Sequence, residues 1–404
     1  MLNELAVALA AFAAVVVATP AARRLALRVG AIDQPDERRV HELPTPRLGG
    51  LALFVGVLAG LGVASLLPSA DIRAVFAETS EPQAIVLACL VIVALGLLDD
   101  IRGISAPAKL AGQVVAAGTL ALSGVNLTFV YLPFVNFPRG TVGVLGPDLA
   151  AIVTIVVVVA MINAVNLIDG LDGLAAGIVA IAAGALFAYV QLSQAVTDGL
   201  PSSSGLVLAA VIGACLAFLI YNFNPASIFM GDTGAMLLGL LLAAAGVSAI
   251  GGTIQPSRGA FAAFSIPVLV PALVLAVPFA DTVWTILRRL RGGRAVFSPD
   301  KKHLHHRLVE IGHSQRRAVL IMYYWSALLA FTGVGVSLLP LSAVAVVLGI
   351  GVAAPLVAMV VGRLRRARHR GDGRARRFVS SFTKSDPPDP DSPADLRKRS
   401  RDRL

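Results

Sequence analysis

Charge is scarce in this chain. Asp, Glu, Lys and Arg make up 14% of its 404 residues, while 56% are hydrophobic. No soluble domain of this length needs that much apolar surface, so a water-soluble globular fold is excluded. Cysteine is nearly absent: Cys89 and Cys215 both lie within apolar runs, so a disulfide framework is not indicated. Two nucleotide-binding signatures are also missing. Neither Gly-x-x-x-x-Gly-Lys-Ser/Thr nor a helix-opening Gly-x-Gly-x-x-Gly occurs, which leaves P-loop and Rossmann binding unsupported. The lack of an internal repeat weighs against an inverted-repeat transporter.

What the chain has in abundance is apolar runs near bilayer-spanning length, about 17–25 residues each. Eleven recur: Leu2–Pro20, Gly49–Leu67, Gln83–Leu98, Lys109–Val125, Leu149–Leu167, Leu174–Leu192, Gly205–Tyr221, Ala235–Ile254, Phe264–Leu287, Val319–Leu339 and Ala343–Val361. Tyr131–Phe137 reads as a short interfacial piece. The expected fold is all-α, a polytopic membrane protein of about eleven transmembrane helices. Basic residues set its orientation. With the N-terminus outside, outer connections hold only Arg73, Arg139 and Arg258, and the other 31 of 34 Lys and Arg fall inside. This places the N-terminus outside and the C-terminus in the cytosol. The first run has no basic residue before it, and Arg23 and Arg24 follow it. That order predicts an uncleaved helix instead of a signal peptide.

Two domains follow: a membrane domain over 1–362 and a cytosolic tail over 363–404. The tail supplies most of the net charge of +10. RLRRARHRGDGRARR directly follows the last span, where an anionic leaflet attracts it, and SDPPDPDSPAD is composed like a disordered segment. A membrane-surface anchor and a plain solvated flank both account for the tail; nucleic acid is not an expected partner.

The polar clusters all fall on the inner side. They are DQPDERRVHELPTPRLGG (Asp33–Gly50), GLLDD ending in Asp99 and Asp100, NAVNLIDGLDG (Asn163–Gly173), YNFNPASIFMGDTG (Tyr221–Gly234), and PFADT leading into RRLRGGRAVFSPDKKHLHHRL. An Asp at a helix centre costs about 2.5–3.5 kcal/mol to insert. At helix ends most of that cost vanishes, whereas ion relays keep their carboxylates near the midplane. The placement favours an enzyme working at the membrane surface over a transporter, and a non-catalytic scaffold gives no reason for five clusters on one face. Each cluster alone has a simpler reading. Asp172 is placed to cap the next helix, Asp99-Asp100 to be a solvated helix end, MGDTG to be a capping turn, and the histidines to be solvated loop residues.

Aspartates with asparagine amides suit a hard cation such as Mg²⁺, with Mn²⁺ as an alternative, and clustered Arg, Lys and His suit phosphate. Zinc is not expected, because no Cys lies near His303, His305 and His306. The face therefore matches a metal-bound diphosphate at the membrane surface.

GLLDD, NAVNLIDGLDGLAAG, NPASIFMGDTG and DKKHLHHRL, in that order, resemble the polyprenyl-phosphate N-acetylhexosamine-1-phosphate transferases. His-Leu-His-His-Arg after Asp-Lys-Lys is similar to the GlcNAc-1-phosphate branch, whereas the phospho-MurNAc-pentapeptide translocases typically carry three consecutive histidines. The Ala/Arg-rich character and long tail look actinobacterial, which suggests a decaprenyl carrier. The resemblance implies a UDP-sugar donor, a membrane polyprenyl phosphate acceptor, release of UMP, and a multi-pass enzyme of the cell membrane with its active site on the cytosolic face. It implies catalytic roles for Asp99, Asp100 and Asp232, and metal ligation by Asp232 and Asp169. Asn166, Asp169 and Asp172 would position the uridine or ribose and the metal surroundings. Phe229 is either a stacking surface for uracil or a core side chain. His303, His305, His306 and Arg307 would contact phosphate or the N-acetyl sugar, with His41 and Arg47 as further binding candidates. Pro267, Pro271 and Pro278 predict a kinked ninth span beside the polyprenyl chain. UDP-MurNAc-pentapeptide as donor is the nearest alternative, and an ion-coupled transporter of an anionic solute is the distant one. Oligomeric state is left open.

Overall fold

A computed structural model describes residues 1–34, 44–132, 141–197, 203–251, 314–340, 342–355 and 357. The predicted ninth span, His41, the cluster His303–Arg307 and the tail 363–404 lie outside the described residues. The helices are α1 (Leu2–Val29), α2 (Gly49–Leu66), α3 (Ala70–Glu78), α4 (Glu81–Arg102), α5 (Ala106–Leu122), α6 (Pro147–Ile168), α7 (Leu174–Thr197), α8 (Ser203–Asn222), α9 (Gly231–Gly251) and α10 (Gln315–Leu338), followed by α11 (Ser342–Pro355). Among the described residues, α1, α2, α4 and α6–α10 are long and apolar enough to cross a membrane. The chain is an all-α, multi-pass membrane protein. Met1–Val344 form one compact unit, and Ala345–Leu404 are assigned to a second.

Burial patterns separate core faces from lipid faces. On α6, Ala150, Thr154, Val158, Met161 and Val165 are buried, whereas Leu149, Ile152 and Val156 are exposed. The two sets follow the helical period on opposite sides, as expected where hydrocarbon is the solvent. Helix α9 is the exception, being buried nearly all round, and α2, α4, α6, α7 and α8 pack against it.

Glycines permit the closest of these approaches. A Cβ on Gly96 of α4 would lie 2.7 Å from the Thr233 nitrogen, one on Gly50 of α2 would lie 2.7 Å from Gly234 Cα, and one on Gly239 would lie 2.7 Å from Ile162 Cα of α6. Backbone contact through small residues is how helices associate tightly where lipid removes the hydrophobic drive. These three contacts draw α2, α4 and α6 onto α9, mostly toward its N-terminal end.

Several boundaries differ from the sequence expectation. Helix α1 continues past Pro20 to Val29, with Ala22 and Ala26 buried. Helix α4 runs past the apolar run to Arg102, with Asp99 and Asp100 in its last turn, at the helix end where the sequence put them. Helix α9 begins at Gly231, a turn earlier than the apolar run, because another helix caps it there. The short α3 was not anticipated. The stretch read as an interfacial piece begins as a β-hairpin, β3 (Phe129–Leu132) pairing antiparallel with β4 (Thr141–Val144). Ahead of α2, β1 (Ile32–Asp33) pairs with β2 (Thr45–Pro46).

Candidate active site

The polar residues meet at one end of the bundle. There the C-terminal ends of α4, α6 and α8 converge with the N-terminal ends of α5, α7, α9 and α10 and with the segment entering α2.

Asp100 organises the junction. It is only 3% exposed, and its carboxylate accepts hydrogen bonds from the backbone N–H of Asp232 (3.0 Å) and Thr233 (3.1 Å) and from Thr233 Oγ1 (2.6 Å). These N–H groups are among the unsatisfied donors that open α9, so a carboxylate from α4 caps α9 across the interface. Two acids in the last turn of α4 oppose that helix's dipole, and facing the positive end of α9 compensates one of them. Gly231 makes the approach possible. It has φ 68°, and a Cβ there would lie 2.5 Å from an Asp100 carboxylate oxygen.

Arg47 secures the same corner. Its Nε and Nη2 donate to the Asp100 backbone carbonyl at 3.0 and 2.6 Å, filling an acceptor that the end of α4 leaves open. Its guanidinium lies 3.9 Å from both Asp33 and the Asp100 carboxylate. The backbone around Phe229 is stitched to this segment: its N–H donates to the Pro46 carbonyl at 2.8 Å, and its own carbonyl accepts from Gly49 at 2.9 Å. Phe229 itself is half-buried.

Asp99 and Asp232 are brought together by Lys109, in the first turn of α5. The ammonium lies 2.6 Å from Asp99 Oδ2 and in short contact with Asp232 Oδ2. Asp99 is oriented further by the Ile104 N–H, which donates to its Oδ1 at 2.9 Å. One turn along α5, buried Gln113 exchanges hydrogen bonds with Asn163 of α6, the shorter at 2.6 Å, and also reaches Met236 Sδ.

Asp169 closes α6 and is half-buried. Loss of solvent around its carboxyl, reinforced by the charges of Asp232, Asp100 and Asp172, pushes its pKa up to about 8. Asn166, also half-buried, lies in the turn before it. Asp172 has a different setting. Its Oδ2 accepts from Asn224 Nδ2 (2.9 Å) and the Ala226 N–H (3.1 Å), which ties the α6–α7 turn to the α8–α9 loop. Asn222 reinforces the tie by accepting from Gly173 and donating to Ile228. Gln315, Arg316 and Tyr323 of α10 bind Asn224 and Gly173 from the other side.

The structure therefore brings together Arg47, Asp99, Asp100, Asp169 and Asp232, with Asp172 in the adjoining clasp. Lys109 was missed as a site residue because sequence offers it only as one more basic residue in an inner connection. Thr233 and Gln113 carry no sequence signal of their own. Among the described residues, no three Asp, Glu, His or Cys side chains form a ready-made metal cage. Their donor set nonetheless fits Mg²⁺, which commonly takes one or two carboxylates and completes its oxygen shell with water and substrate phosphates. Asp99 and Asp232 share one ammonium, and Asp169 faces the charges of Asp232, Asp100 and Asp172, so the cluster has room for further positive charge.

The family model described as glycosyl transferase family 4 matches residues 83–250. The chain is similar to the decaprenyl-phosphate N-acetylglucosaminephosphotransferase of Mycobacterium tuberculosis, 44% identical over 357 residues and covering 86% of each chain. The protein of the same name in Mycolicibacterium smegmatis is 42% identical over 355 residues, again covering 86% of each. The undecaprenyl-phosphate alpha-N-acetylglucosaminyl 1-phosphate transferase of Yersinia pestis is 30% identical over 319 residues, 78% of this chain and 79% of its own.

Proposed function

Because this chain belongs to glycosyl transferase family 4, in its branch of polyprenyl-phosphate N-acetylglucosamine-1-phosphate transferases, we propose that it transfers GlcNAc-1-phosphate from UDP-GlcNAc to a membrane polyprenyl phosphate. The observation that carries this reading is the 44% identity extending over 86% of both chains. The same relatives favour N-acetylglucosamine over a MurNAc-pentapeptide as the transferred group and decaprenyl phosphate as the carrier.

In the reaction a phosphate oxygen of the lipid bonds to the sugar-bearing phosphorus. The bond from that phosphorus to the UMP oxygen breaks, and UMP leaves with the electron pair. A phosphate monoester with a second pKa near ~6 is already mostly ionised at neutral pH, so the attack needs no obligatory base. Asp232 and Asp169 would hold Mg²⁺, which when bound supplies neutralisation of the charge spread over the diphosphate. Asp99, tethered by Ile104 and Lys109, would stand beside the two reacting phosphates. Lys109 supplies an ammonium for the phosphate oxygens. Phe229 offers a half-buried ring for the uracil, and Asn166 an amide for the ribose or the metal surroundings. His303, His305, His306 and Arg307, with His41, complete the proposed set of donor contacts. We place this end of the bundle on the cytosolic face of the cell membrane, where the basic connections and the UDP-sugar both belong.

The test is a membrane assay with radiolabelled UDP-GlcNAc and decaprenyl phosphate, with and without Mg²⁺. Wild type should form a lipid-linked product that chelator abolishes, and Asp232→Asn should lose on the order of 100-fold or more in rate. No product from wild type, or full rate in Asp232→Asn, overturns the reading.

A further inference from the structure

The ion pairs around Lys109 carry a consequence for how the site loads. Three helices contribute one charge each: Asp99 from α4, Lys109 from α5 and Asp232 from α9. The two carboxylates are held to a single ammonium, so the Asp232 carboxylate proposed to take the cation already carries a positive partner. Neither acid is spare. Asp99 is fixed on its other oxygen by Ile104, and Asp232 is in the first turn of a helix whose N–H groups Asp100 caps. Four acids, Asp99, Asp100, Asp169 and Asp232, meet only two cations here among the described residues, Lys109 and Arg47. Arg47 is committed to the Asp100 carbonyl at the far side. Lys109 is thus the one neutralising group of the Asp99–Asp232 pair that can leave on a flexible stem without uncapping a helix.

We propose that Lys109 is a built-in counter-ion that competes with the divalent cation for Asp232, so that cation and substrate phosphate load cooperatively. Without phosphate, a cation taking Asp232 must turn the ammonium off that carboxylate with no new partner to receive it. With a diphosphate present, the displaced ammonium gains an anionic one. Each ligand then strengthens the other, as linkage requires of coupled sites. The inference rests on the proposed metal-dependent reading of the site, but it concerns binding and not turnover.

The test follows Mn²⁺ binding by paramagnetic resonance on the full-length protein in detergent, alone and with UDP. In Lys109→Gln the substrate-free protein should bind Mn²⁺ at least fivefold more tightly than wild type. The enhancement of Mn²⁺ binding by UDP should shrink by a similar factor. Lys109→Arg, which keeps the charge, should bind Mn²⁺ no more tightly than wild type. Should Lys109→Gln prove unstable in chelator because the acids repel, Mn²⁺ should restore its thermal unfolding temperature by more than it raises that of wild type. Equal or weaker Mn²⁺ binding by Lys109→Gln, or no rescue of an unstable variant, overturns the proposal. Because no turnover is read, a wild type that binds in this pattern yet makes no lipid-linked product would sink the proposed function and leave the counter-ion role standing.

Discussion

Asp99 and Asp100 are adjacent in the chain but do separate jobs. Asp100 is buried and accepts from two α9 N–H groups and the Thr233 hydroxyl, while Asp99 points to Lys109 and the Ile104 N–H. Removing Asp100 strands buried donors, and each unsatisfied buried group costs about 1–3 kcal/mol. Asp100→Ala should therefore lower stability by about 3 kcal/mol or more, measured by thermal or denaturant unfolding in detergent. Asp232→Asn, which leaves the cap intact, should stay close to wild type in the same measurement. An Asp100→Ala protein as stable as wild type would show that the α4 carboxylate does not hold α9 in place. The same pair illustrates the limits of sequence at this scale. Two consecutive acids at the end of an apolar run announce a special site, but their division of labour depends on which of them meets α9, 132 positions away for Asp100 and the Asp232 N–H.

At the scale of elements, the catalytic geometry depends on how closely helices approach α9. Most helices were legible as apolar runs of the right length, and the positions of the acids at their ends followed from insertion cost. The start of α9 was not, because what extends it is a cap from another helix and not a local signal. Lys109 was opaque for the same reason: its partners Asp99 and Asp232 come from α4 and α9, and the latter is 123 positions away. Glycine spacing inside α2, α4 and α9 was equally silent, since a glycine facing lipid looks the same in sequence as one touching a backbone. Gly96 and Gly62 separate the two cases. A Cβ on Gly96 would press on Thr233 of α9, whereas one on Gly62 meets nothing within 4 Å. Gly96→Ala must shift α4 and with it both aspartates, and a displacement near 1 Å at a reacting centre costs on the order of 100-fold in rate. Gly62→Ala should leave the rate unchanged and favour its helix by roughly 0.5–1 kcal/mol. Transferase assays and thermal unfolding on the two variants decide the matter. Equal activity in both would mean that the α4–α9 contact does not set the site.

For the whole molecule, the decisive property is which face the site occupies. The bundle gathers its polar helix ends at one side, and under the orientation proposed from the basic residues that side faces the cytosol. Kinship with enzymes acting on polyprenyl phosphate is consistent with either face, so the assignment needs its own test. The chain is well suited to one, because its two native cysteines, Cys89 and Cys215, are buried and should not react with a bulky maleimide. Ser105, exposed between α4 and α5, marks the site end, and exposed Gly146, just before α6, marks the opposite end. With a membrane-impermeant maleimide on intact cells, Gly146→Cys should label fully. Ser105→Cys should label only after the membrane is opened. The reverse pattern would put the aspartates, Lys109 and the entry to α10 on the outer face. UDP-sugar would then not reach them from the cytosol, and the basic connections would stand against the rule that orients the rest of the chain. Labelling of Ser105→Cys in intact cells would thus overturn the orientation and the donor together, while leaving the packing of α4 and α5 on their neighbours untouched.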